Sequence, residues 1–81
     1  MTELELQVEI ERVKLAYAEK LNGFDAQLSE LDVKEADLTM EAGELTKQRA
    51  RLHVWKRAMI LERNREIHNV KERYISEKKE V

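Results

Sequence analysis

The side chains best suited to covalent or acid–base chemistry in this 81-residue sequence are Ser29, Ser76, His53 and His68. A serine nucleophile needs a base held close to it and a preorganised oxyanion site. No glycine-rich turn adjoins either serine or either histidine, and an extended helix offers no such pocket. The two histidines are far apart in the chain, and without cysteine they make no zinc motif. Glu66 and His68 stand two positions apart, on different helix faces, so the Glu-x-x-His spacing of di-metal bundles is missing. The residues predict no catalytic site, no cofactor and no metal ligand set. A protein that is not an enzyme is expected.

The densest functional signal runs from Gln48 to Leu61. Val54, Ala58 and Leu61 fall at i, i+4 and i+7, with Trp55 at their flank and Arg51 one turn before it. That face is too apolar for plain solvent. One reading is a second packing surface inside a three- or four-helix bundle. The other is a docking surface for a protein partner through Arg51, Val54, Trp55, Ala58 and Leu61, because Trp and Arg most often anchor interfaces. Both hold if the partner completes the bundle.

A nucleic-acid interface is the alternative, using the basic stretch 47–81 with Trp55 and Tyr74 for stacking. A helix that follows a DNA groove concentrates bases and drops acids. Here Glu62, Glu66, Glu72, Glu77 and Glu80 interrupt the bases, which spread around the helix rather than forming a stripe. The whole-chain pI near 5.7 weakens the case further.

Elements able to position these residues must be helical. Two glycines, no proline and a composition rich in Ala, Glu, Lys, Leu and Arg exclude turn-rich β folds. Ile10, Tyr17, Phe24, Leu31, Leu38, Leu45, Leu52 and Met59 recur every seven residues, the repeat that keeps one helix facing another. This series is the expected self-association seam. Its companion positions are Leu21, Leu28, Glu35, Ala42, Arg49, Lys56 and Arg63. The long charged ones suit snorkelling or pairing across the interface.

Asn22-Gly23 reads as a helix end, with Lys20 in the last turn and Asp25 capping the next helix. The expected elements are a helix over about 2–21 and a long helix over about 25–78, in one domain. Gly43 offers a second break. In residues 3–10, Leu4, Leu6, Val8 and Ile10 alternate with polar residues as in a strand, yet Thr2 and Glu5 have capping-box spacing. Helix is the favoured reading. It gives this segment a second apolar face of Leu4, Val8, Leu15 and Ala18, which calls for another neighbour in a bundle.

Charge is segregated along the chain. Residues 1–46 hold twelve acids and four bases, and residues 47–81 hold eleven bases and five acids. Antiparallel packing sets the acidic half against the basic one, within one chain or between two, and such asymmetry selects orientation. The expected fold is all-α: a helical hairpin with one long helix, forming an antiparallel coiled coil or small helical bundle. No apolar run is long enough to span a membrane, and the acidic start is the wrong sign for a signal peptide, so no membrane contact and a cytoplasmic setting are expected. These features resemble those of many small coiled-coil adaptors, scaffolds and inhibitors. The expectation is a small accessory protein that homodimerises through antiparallel helices and binds a protein partner.

Overall fold

Thr2 begins the first helix as the spacing predicts. Its side-chain oxygen accepts the Glu5 backbone N–H at 3.2 Å, and its hydroxyl donates to the Glu5 carboxylate. One of the orphan donors of the first turn is thereby satisfied, and Glu3 and Glu5 place negative charge at the positive end of the helix dipole. The computed structural model describes residues 2–80. They form two helices, α1 (Glu3–Ala36) and α2 (Ala42–Glu80), folded back on each other as an antiparallel hairpin. The alternating pattern of residues 3–10 is helical, not a strand.

The chain does not turn at Asn22-Gly23. α1 runs through both residues, and neither glycine has positive φ. A glycine inside a helix costs roughly 1 kcal/mol, which continued seam packing outweighs. Phe24, Leu28 and Leu31 prolong the apolar ridge that carries Ile10 and Tyr17, and a turn at 22–23 would strip most of the second helix of anything to pack against. Folding at 37–41 instead gives arms of 34 and 39 residues, so that most ridge residues meet a partner. The expected short helix over about 2–21 and long helix over about 25–78 are therefore replaced by two arms of similar length, with the break at 37–41.

The turn contains no glycine and no proline. Asp37 caps α1, and Leu38 follows with φ 55°, in the left-handed region. The Leu38 N–H donates to the Glu35 carbonyl and the Thr39 N–H to the Lys34 carbonyl at 3.0 Å, which is the Schellman arrangement. The Thr39 hydroxyl donates to the same Lys34 carbonyl. Leu38, placed in the seam by its heptad position, is instead 89% exposed at the tip of the hairpin. Gly43 is not the break itself; it lies in the first turn of α2, just after the connection.

The core is a narrow seam. Ile10, Tyr17, Leu31, Leu45, Leu52 and Val70 are buried, and Phe24, Leu28 and Met40 pack on the Leu31–Leu45–Leu52 cluster beside the turn. The result is a thin rod of 63 × 17 × 10 Å with a radius of gyration of 18.5 Å, where a globule of this length has about 12 Å. The chain exposes 6331 Å², against about 5,100 Å² for a compact monomer of its mass. No helix among the described residues is long and apolar enough to cross a membrane.

Two substitutions test where the turn lies and how strained it is. A Cβ at Gly23 meets nothing within 4 Å, so Gly23→Ala should stabilise the hairpin by roughly 0.5–1 kcal/mol in a denaturant melt. A loss of stability would mean that the helix ends there. Leu38→Gly removes the left-handed penalty and sacrifices little burial. A gain of about 0.5–1 kcal/mol is expected by the same measurement.

Candidate functional site

Leu52 is buried against α1, and this fixes how α2 presents its other faces. Val54, Ala58 and Leu61 then point away from the seam, and all three are exposed. Trp55 stands at the flank, 51% exposed. With Gln27, Gln48, Arg51 and Leu52 it lines an open hollow of about 260 Å³ between the two helices. The Arg51 guanidinium lies 5.9 Å from the centre of the Trp55 ring, in cation–π range. The structure thus brings Arg51 and Trp55 together with Gln27 of α1, while Val54, Ala58 and Leu61 continue the exposed surface around the helix. Gln27 was not legible as a site residue, because its approach to Trp55 depends on the hairpin register.

The seam beneath the site is held by charges as well as by apolar contacts. Lys56 Nζ donates to Asp25 Oδ1. Arg49 donates to Asp32 at 2.7 Å and also to Glu35. The hydrogen bonds to Glu35 and then Asp32 raise the Arg49 pKa above its ordinary value. Arg49, Lys56 and Glu35 are polar companion positions of the heptad, and they pair across the helices as their length and sign suggest. Arg49 and Lys56 are consequently engaged within the hairpin rather than offered outward.

Farther along, the Tyr17 hydroxyl donates to Glu66 Oε1 at 2.7 Å. This bond to a carboxylate, aided by burial and by the charge of Glu62, pushes the Tyr17 pKa up to about 12. His53 is exposed, and His68 Nε2 lies 3.7 Å from Glu72 Oε1 one turn away on the same surface. No group of three or more metal-binding side chains occurs among the described residues.

The heptad series Ile10, Tyr17, Phe24, Leu31, Leu45, Leu52 and Met59 lies along the contact between α1 and α2, buried or half-buried. The chain supplies its own partner helix there. Beyond Met59 the seam continues through residues that the apolar series does not contain: Val70, which is buried, and Ile60, Ile67 and Tyr74, which are half-buried. Val70 prolongs the charged companion row of Arg49, Lys56 and Arg63. Ile60, Ile67 and Tyr74 form a seven-residue repeat displaced by one position from Leu45, Leu52 and Met59, and that repeat is the signal that could have found them. A straight helix drifts by about 20° per heptad, so the seam must change rows along so long an arm.

The second apolar face of α1 has no third helix to cover it among the described residues. Leu4 and Leu15 are 75% and 72% exposed, and Val8 is exposed beside them. Gln7, Val8, Glu11, Arg12 and Leu15 outline a shallow, mostly apolar hollow of about 410 Å³ on this outer surface. The bundle expected around this face is not formed by the chain alone.

Protein-family models, curated proteins and solved structures were all compared with the chain, and none of them matches.

The Tyr17–Glu66 bond gives a direct check on the register. Folding raises the Tyr17 pKa, so the folded state holds the phenolic proton more tightly, and stability should fall as pH rises from 10 towards 12. Glu66→Gln should bring Tyr17 back towards 10 in an ultraviolet titration of phenolate. A titration unchanged by that substitution would show that the two residues do not meet.

Proposed function

We propose that this chain is a non-enzymatic protein–protein interaction module, an adaptor, scaffold or inhibitor that docks on a protein partner through Arg51, Val54, Trp55, Ala58 and Leu61. The observation that carries this reading is a half-exposed Trp55 at the mouth of a hollow, with Arg51 over its ring and uncovered apolar neighbours. An aromatic ring supplies large contact area at small entropic cost, and a well-anchored helix limits its movement further. Such a rod works by bridging partners or by covering a partner's working surface, and neither mode needs a catalytic group.

Nucleic-acid binding by 47–81 is the second proposal. Arg49 and Lys56 are tied to carboxylates of α1, which lowers the positive charge this stretch can offer to phosphate. Arg51, Arg57, Arg65, Lys71 and Arg73 are exposed, and they keep the test worth making.

Trp55→Ala should weaken binding to partners captured on the immobilised chain by about 2 kcal/mol or more, roughly 30-fold, with helicity unchanged by circular dichroism. Unchanged affinity would remove Trp55 from the interface. Fluorescence anisotropy with random duplex and single-stranded oligonucleotides at low salt should show no binding. A complex that dissociates steeply as salt rises would favour the nucleic-acid reading instead.

A further inference from the structure

The hairpin carries two uncovered apolar stripes, one on each outer edge. On α1 it is Leu4, Val8 and Leu15; on α2 it is Val54, Ala58 and Leu61. At about 100° per residue each stripe lies roughly opposite the seam side of its own helix, so the two face away from each other across a thin molecule. The surface beyond that of a compact monomer is roughly 1,200 Å², and one partner in a stable interface gives up about 800 Å². That excess exceeds what one such contact removes from a chain.

The charges at the edges of these stripes have opposite signs. Glu5, Glu11 and Glu19 border the α1 stripe, whereas Arg51 and Arg57 border the α2 stripe and Arg65 extends it. The nearby bases on α1 are drawn to their own helix, Arg12 to Glu9 and Lys14 to Glu11. An antiparallel register that lays Leu15 on Val54 and Val8 on Leu61 of another copy has a further consequence. It sets Glu19 beside Arg51 on one side and Glu11 beside Arg57 on the other, with Glu5 near Arg65. Antiparallel helices bring like-handed flanks together, so Glu19 and Glu11 each meet a base on their own flank, while Glu62, which also borders the α2 stripe, is drawn towards Tyr17 of its own chain.

We infer that hairpins of this protein associate side by side, the outer face of α1 in one copy receiving the outer face of α2 in the next. The inference rests on the reading of Val54, Ala58 and Leu61 as a docking face and names its partner as a second copy. Within one chain Tyr17 lies opposite Glu66, whereas between copies Leu15 lies opposite Val54. Neighbours are therefore staggered along the rod by roughly 20 Å. The contact is heterologous and does not close, since every added copy leaves one stripe of each kind free. Trp55, on the flank, stays outside the contact.

Two full-length variants decide the matter, Leu15→Glu with a disabled α1 face and Leu61→Glu with a disabled α2 face. Both positions are exposed, so circular dichroism should show unchanged helicity. In sedimentation velocity the wild-type chain should grow beyond a dimer with concentration and shrink with added salt. Each variant alone should remain monomeric, with association weakened at least roughly 30-fold. An equimolar mixture should give one discrete 1:1 complex, because each variant supplies the face the other lacks. A wild-type monomer at all concentrations, or a mixture that stays monomeric, would overturn the inference; so would an assembly that stops at two copies. If the wild-type chain is monomeric but Trp55→Ala still loses a captured partner, only the row is lost. If the row forms while partner affinity ignores Trp55, the row stands and the Trp55 site is lost.

Discussion

An acidic helix and a basic helix share one narrow apolar seam, and every other feature of the molecule depends on their antiparallel match. Between Glu3 and Ala36 there are nine acids and four bases; between Ala42 and Glu80 there are eleven bases and six acids. Leu31, Leu45 and Leu52 exclude water from the seam near the turn, and Arg49 and Lys56 reach over them to Asp32, Glu35 and Asp25. Exposed ion pairs of this kind contribute little each, roughly 0–1 kcal/mol, but a parallel or slipped arrangement would lose all of them together. The charges therefore set orientation and register more than they set stability. Because Leu52 must face α1 in that register, Trp55 is carried to the flank beside Gln27.

Helix content, antiparallel pairing and most of the seam were legible because they follow from periodicity and charge sign, which a linear pattern records directly. The turn was not. Asn22-Gly23 has the composition of a helix end and Asp37-Leu38-Thr39 does not, yet the second segment breaks the chain. Local preference at 22–23 amounts to about 1 kcal/mol, and the burial of Phe24, Leu28 and Leu31 on a continuous ridge exceeds it. Leu38 was hidden for a related reason. Its place in the heptad and its apolar side chain both suggest burial, but the fold places it where the backbone must reverse. Ile60, Ile67 and Tyr74 escaped because the seam changes rows near Met59, and Val70 because the row it extends is otherwise charged.

At the candidate site, the face of Val54, Ala58 and Leu61 was legible from helical spacing alone, since any helix through these residues displays it. The hollow at Trp55 was not, because it requires Gln27 from the other arm. The Tyr17–Glu66 bond was equally invisible, for its partners are distant in sequence and only the position of the turn brings them level. Properties of one helix were readable, then, and properties shared between helices waited on the turn.

The connected part of the buried seam sits at one end, where Leu31, Leu45 and Leu52 share Phe24, Leu28 and Met40 as neighbours beside the turn. Ile10, Tyr17 and Val70 lie towards the other end, outside that cluster. The short loop makes contacts near it cheap in closure entropy, while each contact farther out depends on those already formed. Such a molecule behaves like tweezers, gripping at the hinge and parting first at the tips. Amide exchange should then grade along both arms, slowest around Leu31 and Leu52 and fastest near the termini.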